Sequence, residues 1–292
     1  MTEQRRRVSS TQISTFQACP QKWARIYVEN QPNPVGRAAH IGTVFHAIVE
    51  FYLTRSFFPS YAAVASLPGN YSPTRDALLV DGAGIYAIAM RMAKFVHAAG
   101  VLKGVLDGAG GLHVERSLDD FGVKLGAGTL AGGYLDVLHL DPVARRATIT
   151  DWKTRGKLSW SSRPRSSEAF ESNAQMTYYA AALALSDAAL DTVEVRHVNV
   201  LRADQGGPAV SIDAHVFDTG WLRAEVVPEL DRIVRAMEEI RDGAIPVKDR
   251  GACFQYGPCP FLTACATGEM IIPQDGDFFA NLAAAQILGV DK

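Results

Sequence analysis

Asp136, Asp151 and Lys153 are residues whose types and spacing could do chemistry. They stand in Gly133-Tyr134-Leu135-Asp136 and Asp151-Trp152-Lys153, within two runs rich in β-branched and aromatic residues, Gly132–Leu140 and Arg146–Thr154. Side chains alternate faces along a strand. Ala147, Ile149, Asp151 and Lys153 therefore share one face of the second run, and Thr148, Thr150 and Trp152 share the other. Two apolar residues followed by an acid and a base on one face is an odd way for a strand to end in solvent. If pairing brings Asp136 alongside, two carboxylates and an ammonium meet within a few ångströms. Carboxylates that close repel each other unless a cation sits between them. A hard divalent ion such as Mg²⁺ or Mn²⁺ prefers oxygen ligands. Lys153 could then steady a water, or the charge that develops on an attacked phosphate. The competing reading is three solvated charges on a sheet edge, and the triplet alone does not choose.

The elements around these residues follow from pattern. Asp141-Pro142-Val143-Ala144-Arg145 has a turn's composition, so the two runs form a hairpin or near-hairpin. Val8–Asn30 reads as two short helices that break at Ala18-Cys19, with Pro20 opening the second, and Gln31–Gly36 breaks the pattern. Ala38–Arg55 is predicted as one amphipathic helix whose apolar stripe is Ile41, Phe45, Ile48, Val49, Tyr52 and Leu53. His46 and Glu50 share a face of it, and on residue types alone they are a histidine bonded to its own i+4 carboxylate. Residues 56–72 are a connection, and Pro73–Ala99 is a long helical pattern with a kink near Gly82 and Gly84. Leu112–Leu118 and Phe121–Leu125 are strand candidates, and Gly126–Gly133 is glycine-rich. Glu115 could face the two aspartates, but an exposed or cross-strand-paired glutamate is the expectation. Ser167–Ser186 is a helix, Thr192–Ala203 and Ala209–Phe217 are strands, and Thr219–Asp242 is a long helix despite Pro228. The loop after Lys153 carries Arg155, Lys157, Trp160, Arg163 and Arg165, so phosphate contact and stacking of an unpaired base are plausible there.

Composition narrows the class. An apolar fraction of 48% is ordinary for a globular chain. No apolar run approaches the roughly 20 residues needed to cross a bilayer. Residues 1–10 carry charge with no apolar core behind it, so secretion and membrane insertion are not expected and a cytoplasmic protein is. With a formal charge of −2, nucleic acid would have to bind through a local patch.

The chain has 4 cysteines, Cys19 and the cluster Cys253-x5-Cys259-x5-Cys265. Without a secretory signal they point away from disulfides and toward metal or redox chemistry. Four thiols with none left over suit Zn²⁺ or an iron–sulfur cluster. Pro258 and Pro260 keep the region irregular, as a wrapping loop requires. The alternative is four buried, inert cysteines.

Gly-x-x-Asp, a turn, then Asp-x-Lys-Thr resembles the PD-(D/E)XK nuclease superfamily, although Leu135 stands where a proline often precedes the first acid. The flanking motifs are similar to its RecB-type exonuclease class, with the AddB nuclease domain and the CRISPR-associated and phage-encoded iron–sulfur exonucleases. They are Ile41-Gly42-Thr43-Val44-Phe45-His46, Gln175-x3-Tyr179, and one cysteine far upstream of three. The resemblance covers about residues 9–265. It implies a single α/β domain over 1–292 with a restriction-endonuclease-like core, a mixed central sheet flanked by helices. Residues 73–107 would be a helical insertion, and the terminal four-cysteine region a staple. It also implies a Mg²⁺- or Mn²⁺-dependent deoxyribonuclease. His46, Asp136 and Asp151, with the Trp152 carbonyl, would be the ligands and Glu50 would orient His46. Lys153 would orient the nucleophile, and Gln175 and Tyr179 would place the scissile strand. Cys19, Cys253, Cys259 and Cys265 would hold a [4Fe–4S] cluster, with Zn²⁺ as the alternative; the family often has x2 where this chain has its first x5. Action would be exonucleolytic on DNA ends or single strands, in recombination, repair, or phage or CRISPR DNA processing. A recombination or single-strand annealing protein is a possible partner. Two other readings remain: a DNA-binding subunit with a gated or inactive site, and a zinc-stapled structural protein.

Overall fold

The computed structural model describes residues 6–66, 72–108, 110–126, 128–156, 167–254 and 259–267. It opens with β1 (Arg7–Ser9), α1 (Ser10–Ala18) and α2 (Pro20–Tyr27). The break between the two helices is set chemically. Cys19 is extended, its N–H donates to the Thr15 carbonyl, and its sulfur accepts from the Lys22 N–H to cap α2, whose first residue is Pro20. There follow α3 (Arg37–Arg55), α4 (Tyr61–Ala65), α5 (Ser72–Ala98) and α6 (Val101–Leu106). The short α4 lies in the stretch expected to be only a connection. The kink expected near Gly82 falls at Asp81, whose backbone is non-helical.

Next come β2 (Gly111–Ser117), a 3-10 turn at Leu118–Phe121, β3 (Lys124–Leu125), β4 (Thr129–Gly132), β5 (Tyr134–Asp141) and β6 (Arg146–Arg155). The Phe121–Leu125 strand is thus only a two-residue bridge, and the glycine-rich run contains a strand, β4. The helix expected over Ser167–Ser186 is two, α7 (Ser167–Glu171) and α8 (Ala174–Ser186). Asn173 caps α8, its Oδ1 accepting from the N–H groups of Gln175 and Met176. The chain continues through β7 (Thr192–Leu201), β8 (Val210–Asp218) and α9 (Thr219–Trp221), then a π-helical turn at Leu222–Val226. It closes with α10 (Val227–Arg241), whose Pro228 lies in its first turn just after that π-helical turn, and α11 (Leu262–Thr267).

The central sheet is mixed and ordered β2-β5-β6-β7-β8, with only β6 and β7 parallel. A three-stranded sheet, β1-β4-β3, lies beside it. Each face of the central sheet has its own core. Val137, Trp152, Val198 and Val200 pack with Ile41, Phe45 and Ile48 of α3 and with residues of α5 and α6. Leu138, Ile149, Val193, Val195 and Phe217 pack with Ile13 of α1, Trp23 of α2, most of α8, and Ile233 and Val234 of α10. This is the helix–sheet–helix layering of a restriction-endonuclease-like α/β fold. Tyr178 of α8 ties in the small sheet: its hydroxyl donates to the Val8 carbonyl at 2.6 Å and accepts from the Gly132 N–H at 3.0 Å.

Candidate active site

The hairpin opens where chemistry was expected. The β5–β6 ladder runs from Asp141–Arg146 to Val137–Thr150. One step further the Trp152 N–H donates to Asp136 Oδ2 at 2.8 Å, so a side chain has replaced the backbone acceptor. Asp136 and Asp151 stand at opposite positions of the two strands at that opening. Gly133, just upstream, has φ 130°, which favours glycine, and lies against the Tyr179 ring.

α3 delivers His46 from the far face of the sheet. Its Phe45 meets Trp152 edge-on, ring centroids 6.3 Å apart, and His46 Nδ1 stands 3.3 Å from Asp136 Oδ1. Gly42, one turn earlier, lets the helix come close: a Cβ there would lie 3.0 Å from Thr154 Oγ1.

Glu115 is half-buried and turns to the site as a further acid, where an exposed glutamate or one in an ordinary cross-strand pair was the expectation. The β2–β5 register pairs Val114 with Val137 and Arg116 with Leu135, which sets Glu115 opposite Asp136. Its φ of 50° is left-handed, a conformation that non-glycine residues hold only when their surroundings enforce it. Ligand atoms of His46, Glu115 and Asp136 all lie within 4.8 Å of one another. Two oxygens and one imidazole nitrogen at that spacing fit a hard divalent cation. The charges agree. Burial, with Asp136 and Glu50 nearby, pushes the Glu115 carboxyl up to about 8. Burial pulls the His46 imidazole down, but the charge and hydrogen bond of Asp136, with the Asp151 charge added, together outweigh it and hold His46 at about 9. A pocket that retains protons on its own ligands is short of positive charge.

Asp151 faces the other way, toward α8. Lys153 Nζ lies 2.7 Å from Asp151 Oδ2 and donates to Gln175 Oε1 at 2.6 Å. Gln175 Nε2 donates to Asp151 Oδ1 at 3.1 Å and to the Tyr179 hydroxyl at 3.3 Å. Gln175 thus spans the acid, the ammonium and the phenol. Burial and the neighbouring Asp136 charge raise Asp151 to about 6, while His46 and the Trp152 N–H help hold Asp136 low against its burial. Buried His197, opposite Asp151 on β7, stands 4.0 Å behind its Oδ2. That placement follows from strand order, which the sequence does not display.

Arg155 shares the Asp151–Lys153 face of β6 and is steered from β7. Its Nε donates to Asn199 Oδ1 at 3.0 Å, and Asn199 Nδ2 donates to Asp213 Oδ2 at 3.0 Å. Lys157, Trp160, Arg163 and Arg165 lie outside the described residues.

The four cysteines meet. Cys19, Cys253, Cys259 and Cys265 line one cleft, with Lys22, Lys248 and Arg250 on its wall. Lys248 Nζ donates to the Cys265 carbonyl at 2.9 Å, and the Cys259 N–H donates to the Cys253 carbonyl at 2.8 Å. Burial raises the Cys253 thiol, and the other three thiols add to that. Among the described residues, no helix is long and apolar enough to cross a membrane.

A family model for the PD-(D/E)XK nuclease superfamily matches residues 7–266. One similar solved structure is that of SSO0001, at 12% identity over 93% of this chain and 90% of its own. Its TM-score is 0.33. No curated protein matches the sequence.

Proposed function

The chain belongs to the PD-(D/E)XK nuclease superfamily, and from that premise we propose that it is a Mg²⁺- or Mn²⁺-dependent DNA exonuclease acting in the cytoplasm on DNA ends or single strands. The observation that carries this reading is the pairing of two groups in one opening: His46, Glu115 and Asp136 on one side, and Asp151, Lys153 and Gln175 on the other. His46, Glu115 and Asp136 would hold the cation, with Asp151 and the Trp152 carbonyl completing its surroundings. A divalent ion bound there supplies Lewis acidity, acidifying the attacking water and offsetting charge on the phosphate.

The rest is work for the chain's own groups. Lys153 orients the nucleophile, and Gln175 fixes Lys153 while donating to Asp151 Oδ1. The Tyr179 hydroxyl accepts from Gln175 and from Ser10, which leaves its own proton for a phosphate oxygen of the strand. Burial pushes that phenol up to about 12, so it stays a donor. Arg155, steered by Asn199, would meet a backbone phosphate, and residues 157–165 would extend that contact.

For the four thiols we propose a [4Fe–4S] cluster. The four thiols line one cleft, and Lys22, Lys248 and Arg250 on its wall would complement the negative charge of such a cluster. Residues 73–107 would be an added helical layer on one nuclease domain, serving recombination, repair, or phage or CRISPR DNA processing.

The test is hydrolysis of end-labelled single- and double-stranded DNA in EDTA, Mg²⁺ and Mn²⁺, with Lys153→Ala alongside. Activity that needs the cation and is lost in Lys153→Ala, with folding unchanged, is expected. Binding without cleavage would favour a DNA-binding subunit instead, and full activity of Lys153→Ala would exclude the assignment.

A further inference from the structure

The Gln175 network does not end at Tyr179. The Tyr179 hydroxyl also accepts from Ser10 Oγ, at 3.2 Å in a buried contact. Ser10 is the first residue of α1, and Cys19 follows its last. Cys19 lines the thiol cleft, closes α1 through its N–H and opens α2 through its sulfur. One nine-residue helix, about 14 Å long by its rise per residue, therefore touches the catalytic network at one end and the thiol site at the other. It is gripped along its length, since Ile13 is wholly buried against α8 and α10. Its far end is tied to the C-terminal segment by two contacts through α2. The Gln21 N–H donates to the Val247 carbonyl at 3.1 Å, and Arg25 Nη2 donates to the Ala264 carbonyl at 3.4 Å.

We propose that Ser10 is a positioning residue for hydrolysis, holding Tyr179 and through it Gln175 and Lys153, and that α1 couples occupancy of the four-cysteine site to this network. The inference rests on the nuclease reading and on a metal at the thiols. Ser10 touches neither strand nor cation; it fixes the rotation of a phenol whose lone pairs are shared with Gln175. With Cys19 bound, both ends of α1 are fixed; with Cys19 released, α1 loses its tie to the thiol site and keeps its apolar packing and the contacts of Gln12, Gln21 and Arg25, and Ser10 can draw back from Tyr179. Coupling between two sites is reciprocal, so loss of the Ser10–Tyr179 contact must also loosen the thiol site.

Wild-type protein is first assayed on end-labelled single-stranded DNA with Mn²⁺, and its iron and zinc are measured. No cleavage, or no bound metal, would defeat the underlying readings. The coupling is then read separately, in a cycle of Ser10→Ala, Tyr179→Phe and the double variant, with metal loaded. Ser10→Ala is expected to lower kcat about fivefold with KM unchanged, to be rescued in part by Ser10→Thr, and to cost nothing more in the Tyr179→Phe background. Independent, multiplying losses would overturn the positioning role. The second readout needs no activity: metal released from the cysteines to a chelator, followed by absorbance or metal analysis. Release is expected to be several-fold faster in Ser10→Ala and in Tyr179→Phe than in wild type. Equal rates in all three would overturn the coupling.

Discussion

Three carboxyl groups and an imidazole packed against one another cannot all keep their ordinary charges without a cation. In the metal-free protein Glu115 is held near 8, His46 near 9 and Asp151 near 6, each above its usual value. Such groups bind more protons folded than unfolded. Their stabilisation is full below the unfolded pKa and is lost as pH climbs through the folded one. Asp136 is shifted the other way, but its contribution is complete above its ordinary range and does not change in this window. Melting temperature in EDTA should therefore fall as pH rises from about 5 to about 9, and saturating Mn²⁺ should flatten that slope. A flat or rising EDTA profile would contradict the charge assignment. Glu115→Gln removes the most strained acid, so at pH 8 it should raise the metal-free melting temperature, on the order of 5 °C. It should also weaken Mn²⁺ binding measured by calorimetry. That Asp136, Asp151, Lys153, His46 and Gln175 gather in one place was legible from residue type, spacing and family resemblance. Glu115 was not, because its inward turn depends on a left-handed backbone and a cross-strand partner some twenty positions away.

Elements carry these groups only as accurately as they pack. His46 reaches Asp136 because α3 lies close over the end of β6, with Gly42 against Thr154. Thr154 can yield a little, so Gly42→Ala should be mild. Gly42→Val sets a branched side chain into the same contact and must lift the helix. It should weaken Mn²⁺ binding by about tenfold or more with melting temperature lowered by only a few degrees. Unchanged affinity would mean that the helix does not set the imidazole. The α3 helix was readable from its apolar period, as was the α1–α2 break from Pro20. Others were read imperfectly for definite reasons. Ser167–Ser186 has continuous helical composition, yet Asn173 prefers to cap rather than continue, and its Oδ1 takes the N–H groups of Gln175 and Met176. The strand β4 is short and sits in a glycine-rich run; it exists because β1 pairs with it in parallel from the chain's beginning, a contact that no local pattern announces.

At the scale of the whole molecule, the active site draws on two layers with separate cores. His46 comes from the α3–α5 side, whereas Gln175, Tyr179 and Ser10 come from the α1–α8 side. The cysteine cleft belongs to one layer only, since Cys19 joins α1 to α2 and the other three lie in the segment that packs on α2. Counting cysteines was enough to expect that they gather, but not to see which layer they secure. Closing a loop of more than about 100 residues is worth on the order of 5 kcal/mol, and that stabilisation should be distributed unevenly. If the thiols hold a metal as proposed, hydrogen exchange on protein stripped of it should show α1, α2 and the Gln175–Tyr179 turn opening faster, with α3 and α5 still protected. Nuclease activity would then fail through the Lys153–Gln175 side while Mn²⁺ binding at His46, Glu115 and Asp136 persists. If both layers lost protection equally, the cysteines would be a global clasp, and the separation of the two cores across the sheet would have no mechanical consequence.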